Sequence, residues 1–245
     1  MITFTKKEMQ QKIDIIKKNM QEINNKISMH EKPIFIELLG TPKSGKTTLL
    51  KSLKNFFSNN EMEIFTRRET AEYNPVEKES EQYELWMVLE LFKNLSEDIS
   101  NKQGKIVIYD RGIIDRLIWL EKAVQTGEIS KEDFDKITGL YDLATIKKYR
   151  PITCGFLTSP ELSIKRKGSV GRYVNQETLN LYNKILLKNH DKISDLSSSF
   201  HLVKTDDYQG KIEEFILDMT SEITEKITKQ LEVKKKEKLK VGEER

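Results

Sequence analysis

The stretch GTPKSGKTT at positions 40–48 constrains this chain more than any other, because it follows the apolar run IFIELL at 34–39 and opens the helical pattern TTLLKSLKNFF. It fits GxxxxGK[ST], the signature of a loop that cradles phosphate. Gly40 and Gly45 lack a Cβ, so the backbone can curl and aim its N–H groups inward. The positive end of the following helix adds to that field. Lys46 is placed to reach β- and γ-phosphates as a point charge, Thr47 to offer its hydroxyl to Mg²⁺, and Thr48 to touch an α-phosphate. With Ser44 completing the loop, Gly40, Ser44, Gly45, Lys46, Thr47 and Thr48 are the nucleotide-binding candidates. The plainer alternative is a glycine turn leading into a surface helix. Chance matches to the pattern number only about 0.01 in a chain of this size, and the flanking strand and helix lower that further.

The 245 residues suffice for one large domain with a buried core. A hydrophobic fraction of 37% against 33% charged residues suits a helix-rich soluble protein. No run approaches a membrane span, and MITFTKKEMQQK lacks the apolar core of a signal peptide. The single cysteine, Cys154, allows no intramolecular disulfide, and its strand context reads it as a small hydrophobe. A cytoplasmic location is the expectation. The net charge of +3, from 42 basic and 39 acidic side chains, argues against a nucleic-acid partner. His30, His190 and His201 have no metal-ligand spacing.

Short β-rich runs recur at 34–39, 63–66 (EIFT), 105–110 (KIVIYD), 152–157 (ITCGFL) and 200–204 (FHLVK), and the gaps hold segments of helical period such as KESEQYELWMVLELFKNLSEDI. That alternation predicts an α/β fold with a parallel sheet covered on both faces, its ligands at the carboxyl ends of the strands. Helical stripes flank this region: Met9, Ile13, Ile16, Met20, Ile23 and Ile27 at one end, and Ile212, Ile216, Met219, Ile223 and Ile227 at the other. The organisation read from this is an N-terminal amphipathic helix over 1–32, a phosphate-binding domain over 33–209, a C-terminal amphipathic helix over 210–233 and a charged, disordered tail over 234–245. The first stripe packs on its own domain, on the other terminal helix, or on a second copy as a homodimer seam.

A strand ending in an acid should complete a metal site beside the loop, and KIVIYD supplies Asp110. The alternative is an acid that caps the helix beginning at Gly112. A guanine-reading switch would carry NKxD and DxxG after its strands. NKQG at 101–104 has glycine where the guanine-pairing acid belongs, and DYQG at 207–210 falls near the far end, which disfavours a GTPase.

Three further stretches complete a resemblance to the deoxynucleoside kinase and thymidylate kinase branch of P-loop kinases, over about Pro33 to Thr205: YDRGIIDRLIWLEKAVQTGEIS at 109–130, TRRETAEYNPVEKES at 66–80 and SPELSIKRKGSVGRYVNQETLNLY at 159–182. The first resembles the family's strand with its acid-Arg pair and following Asp-Arg, the second its acceptor-site motif after the second strand, the third its arginine-bearing lid. The resemblance implies a three-layer P-loop NTPase fold with a five-stranded parallel sheet in the order 2-3-1-4-5, flanked by helices, with the terminal helices added. It departs from the family at Asp110, where nucleoside kinases commonly have glutamate, at Gly112, where serine or tyrosine is usual, and in lacking an acid after Arg172.

The implied activity is transfer of the γ-phosphoryl group of Mg²⁺-ATP to a nucleoside or nucleoside monophosphate. Thr47 and Asp110 would hold the metal, and Lys46, Asp110, Arg111, Arg166 and Arg172 would carry the catalytic charge, the last two from a lid. A nucleoside acceptor needs a base, for which Glu69 is placed by resemblance; a monophosphate instead needs cations such as Arg68 or Arg67. Tyr73, Arg111 and Asp115 join Arg68 and Glu69 as substrate-binding candidates, with Tyr83, Trp86 and Trp119 as further aromatics; spacing with Leu89 puts Trp86 in the core instead. The alternatives are a kinase of another small molecule or of a polynucleotide end, and a P-loop ATPase that engages a partner through its terminal helices.

Overall fold

The computed structural model describes residues 3–78, 80, 82–168 and 174–243. Its first helix, α1 (Lys6–Lys26), starts at a capping box in which Thr5 accepts from the Glu8 N–H and the Glu8 carboxylate accepts from the Thr5 N–H. Strand β1 (Ile34–Gly40), helix α2 (Lys46–Asn59) and strand β2 (Ile64–Arg67) follow. Then come α3 (Gln82–Asn101), β3 (Ile106–Asp110), α4 (Ile113–Gln125), α5 (Lys131–Gly139) and α6 (Ala144–Lys147). The chain continues through β4 (Ile152–Leu157), α7 (Pro160–Lys167), α8 (Gln176–Lys188), α9 (His190–Leu196), β5 (Ser199–Lys204) and α10 (Ile212–Glu243).

All five strands are parallel, in the order β2-β3-β1-β4-β5. Burial follows that order: every residue of β1 and β3 is buried, whereas the edge strands β2 and β5 are mostly half-buried. Side chains of β1 alternate between two layers. Ile34, Ile36 and Leu38 join a cluster with Leu49, Leu53 and Phe57 of α2 and with both terminal helices. Phe35 and Leu39 face the other layer, the first with Leu91 and Leu95 of α3, the second with Ile114 and Ile118 of α4 and Tyr182 of α8. By the same period of two, Glu37 points toward α4, an acid inside the sheet.

The two terminal stripes meet inside the chain. Ile16, Met20 and Ile23 of α1 share the cluster with Met219, Ile223, Ile227 and Leu231 of α10, and Asn19 Nδ2 donates to Thr224 Oγ1 at 3.4 Å. The apolar seam that a second copy would need is thereby spent on α10. Helix α10 runs to Glu243, through the 234–240 stretch that was expected to lie in a disordered tail; Lys, Glu and Leu are good helix formers. Trp86, expected in the core by its spacing with Leu89, is half-buried, and Leu89 is 52% exposed on the outer side of α3. Cys154 is fully buried and burial pushes its thiol pKa up to about 12, an inert hydrophobe. Among the described residues, no helix is long and apolar enough to cross a membrane.

Candidate active site

The phosphate loop lies where β1 ends and α2 begins. Gly45 takes φ 105°, a left-handed conformation that only glycine adopts cheaply, and no side chain caps α2. The first-turn N–H groups of α2 therefore have no side-chain acceptor, the arrangement in which a helix end takes an anion. Lys46, 4% exposed, folds back over the loop: its Nζ donates to Gly40 O at 2.9 Å and Thr41 O at 2.8 Å, with Ser44 Oγ at 3.4 Å. Burial, helped by the Arg111 charge, lowers the Lys46 pKa to about 8. An arriving phosphate would supply the anion this ammonium lacks.

The pairing of Leu38 with Asp110 in the β1–β3 register brings the end of β3 level with the loop. The Thr47 hydroxyl donates to Asp110 Oδ2 at 3.4 Å, while Asp110 Oδ1 is buried without a partner. Burial raises the Asp110 pKa, against the pull of Lys46. A hydroxyl and an orphaned carboxylate oxygen suit Mg²⁺, which takes few protein ligands and keeps waters and substrate phosphate. These residues fit the metal the motif implies.

Arg111 follows in a left-handed conformation, φ 63°, costly for a residue with a Cβ, with its N–H held by Leu38 O at 3.0 Å. That turn carries its side chain back across the site. Its Nε lies 3.0 Å from Glu69 Oε1 and its Nη1 2.9 Å from Asp115 Oδ2. Burial opposes the Arg111 charge, but Glu69 and Asp115 outweigh it and raise its pKa. Glu69 itself stands two residues beyond β2, in a 3₁₀ approach to α3, and lines the cavity.

Asp115 is 1% exposed, and protein donors take its oxygens: Gly40 N–H at 3.1 Å and the Tyr182 hydroxyl on Oδ1, Arg111 on Oδ2. Asp115, expected to bind substrate, lines the cavity, and its bonds tie the loop, the arginine and α8 together. Glu37 escaped the sequence reading. Its Oε1 accepts from the N–H groups of Gly112 at 3.2 Å and Asp115 at 2.8 Å, and its Oε2 accepts from the Tyr149 hydroxyl at 2.9 Å. It thus caps α4, whose own N-cap residue, Gly112, has no side chain to do so. Burial raises the Glu37 pKa to about 7. The signal was an acid amid IFIELL. The same contact explains Gly112, since a Cβ there would lie 2.6 Å from the Glu37 carboxyl carbon.

Lys46, Thr47, Glu69, Arg111, Gly112 and Asp115 open on a cavity of about 960 Å³. One side of it is walled by Tyr83, Glu84, Met87 and Leu91 of α3 and Arg116 and Trp119 of α4. Glu84 and Arg116, also missed, form a buried ion pair with Arg116 Nη2 2.6 Å from Glu84 Oε2. Other expected groups lie elsewhere. Arg67 is bound to Asp98 through Nε at 2.9 Å and Nη2 at 2.7 Å, and Arg68 is exposed and outside the lining. Tyr73, 41% exposed, packs edge-on against Trp86 with ring centroids 5.9 Å apart, and neither ring lines the cavity. Two residues of β2's exit decide this: the side chains of Arg67 and Arg68 leave the strand away from the cavity, and the next acid turns in. At the loop's end of the cavity Ser44, Thr48 and Arg166 line it, and Arg166 Nη1 donates to Lys43 O at 3.2 Å. Arg172 lies outside the described residues.

No family model and no curated protein matches the chain. Solved structures do. Deoxyadenosine kinase from M. mycoides with bound dCTP matches at 19% identity and TM-score 0.55, over 77% of this chain and 100% of that one. The same enzyme with bound dATP gives 19% and 0.56 over 76% and 98%, and with its products dCMP and a flexible dCDP 17% and 0.59 over 77% and 100%. At 17–19% identity these likenesses show the fold: with its five-stranded parallel sheet in the order β2-β3-β1-β4-β5, this chain has the P-loop kinase fold of these deoxyadenosine kinase structures.

Proposed function

We propose that this protein transfers the γ-phosphoryl group of ATP to the 5′-hydroxyl of a nucleoside. The observation that carries the choice of acceptor is the position of the RRET segment: Glu69 lines the cavity beside Arg111, while Arg67 is consumed by Asp98 and Arg68 faces solvent. A monophosphate acceptor would need those cations. A nucleoside needs a base, and Glu69, a cavity-lining carboxylate beside Arg111, is the group assigned to that role.

In this reading the hydroxyl oxygen bonds to the γ-phosphorus as its proton passes to Glu69, and the bond from the γ-phosphorus to the β–γ bridging oxygen breaks, leaving ADP. Lys46 and the loop N–H groups hold the donor's phosphates, and Arg111, oriented by Asp115, faces the oxygens on which charge develops. Arg166 covers the donor side. Thr47 and Asp110 would hold Mg²⁺, which when bound would neutralise phosphate charge on the donor. Tyr83 and Trp119 offer faces to the base, and the Glu84–Arg116 pair offers an acceptor and donors to its edge.

The test is ADP release from Mg²⁺-ATP against nucleosides and nucleoside monophosphates, with Lys46→Ala and Glu69→Gln alongside. Turnover with nucleosides is expected, abolished by Lys46→Ala and reduced about 10²–10⁴-fold in kcat by Glu69→Gln. Turnover with monophosphates that survives Glu69→Gln would overturn the assignment.

A further inference from the structure

We propose that the N-terminal helix belongs to the nucleotide end of the cavity: α1 braces the wall that the first turn of α10 presents to the phosphate loop, and Lys12 is the positioning residue that joins them. The inference rests on the reading of that end as the phosphoryl-donor site.

The wall is built by Tyr208 and the start of α10. Tyr208, Lys211, Ile212 and Phe215 line the cavity opposite the loop. The Phe215 ring comes within 3.6 Å of where a Cβ on Gly45 would stand, so it abuts the loop's left-handed turn. It packs edge-on against Phe156 of β4 and against Tyr208, with centroids 5.9 and 5.5 Å away. A nucleotide seated on the loop meets this surface, and a shift of α10 along its axis would move it.

What holds the wall from behind is α1. Asp218, in the second turn of α10, accepts from the Tyr208 hydroxyl on Oδ2 and from Lys12 Nζ on Oδ1 at 2.6 Å. One carboxylate therefore couples a cavity-lining tyrosine to the N-terminal helix. Nearer the chain's start, Lys211 Nζ contacts Thr3 Oγ1, and the Thr5–Glu8 capping box fixes where α1 begins. Further along, the buried apolar seam of the two helices keeps them in register. Lys12 and Asp218 are each about a quarter exposed, so their pair adds little to global stability. Its effect falls on the placement of Tyr208 and the first turn of α10. Coupling is reciprocal: if α1 sets the wall that a nucleotide meets, the nucleotide must in turn steady α1.

Hydrogen exchange of the full chain with and without Mg²⁺-ADP tests this, together with calorimetric titration of Mg²⁺-ADP into wild type, Lys12→Ala and, as a control on the outer face of α1, Lys18→Ala. The expectation is slowed exchange both in the 40–48 loop and in the first half of α1. Lys12→Ala should weaken Mg²⁺-ADP about threefold, with melting temperature lowered by less than about 2 °C, and Lys18→Ala should match wild type. If Mg²⁺-ADP slows the loop while α1 exchanges as before, or if Lys12→Ala binds like wild type, the inference is wrong. If the loop itself shows no protection, the donor-site reading fails and takes the inference with it.

Discussion

Glu37→Gln should make the protein more stable at alkaline pH, against the intuition that a buried, triply bonded carboxylate is a stabilising feature. Glu37 is fully buried, and its pKa is raised from 4.5 to about 7, chiefly by burial. Because the folded value lies above the unfolded one, the native state binds more protons than the unfolded state between these values. Stability is therefore fully present below about pH 4.5 and falls as pH rises through 7. The shift corresponds to about 3 kcal/mol, and most of the loss falls between pH 5 and pH 8. Glutamine cannot ionise yet keeps the geometry: its carbonyl can accept from the Gly112 and Asp115 N–H groups, and its amide can donate to the Tyr149 hydroxyl, which accepts as readily as it donates. Urea unfolding of wild type and Glu37→Gln at pH 5, 6, 7 and 8 is the assay. The difference should be small at pH 5 and grow by about 2 kcal/mol in the variant's favour by pH 8. Two stability curves that run parallel across this range would refute the argument, since they would mean that Glu37 does not titrate there.

Two further outcomes follow from the site. Tyr182→Phe removes a buried donor from Asp115, leaving Gly40 N–H and Arg111 as its remaining partners, and should lower stability by about 1–2 kcal/mol in thermal denaturation; an unchanged melting temperature would show that the hydroxyl contributes nothing. Arg68→Ala should leave the KM for a nucleoside acceptor within about twofold of wild type, since the side chain is exposed and outside the cavity lining; a tenfold rise in steady-state assays would restore the role expected of it from sequence.

Local chemistry made the phosphate loop legible without a fold. GTPKSGKTT needs its glycines, lysine and threonine at fixed spacing because backbone curvature, a point charge and a metal-facing hydroxyl are all supplied within one turn of chain. The five strands were readable for a similar reason: parallel strands buried on both faces are short, nearly continuous apolar runs, and their positions shift by no more than a residue or so at either end. Asp110 was placed by its position after such a run and Glu69 by the resemblance, and both lie at the loop's end of the sheet. The strand order, in contrast, came from the resemblance, since apolar runs do not state their neighbours.

What only the tertiary structure decided concerns which way side chains point and what they meet from distant parts of the chain. RRET offers two arginines and an acid in succession, and only the exit of β2 determines that Glu69 enters the cavity while Arg67 meets Asp98, 31 residues on. Asp115 lines the cavity as a substrate-binding candidate should, but only the fold brings Gly40 and Tyr182, 75 and 67 residues away, onto its carboxylate. Glu37 stood in plain view inside an apolar strand, yet its task as the cap of α4 depends on a helix that begins 76 positions later, at Ile113. The terminal stripes were visible as amphipathic helices, but an apolar stripe specifies only that it will be covered; packing chose the partner, and with α1 laid on α10 the two ends of the chain close behind the wall that faces the phosphate loop.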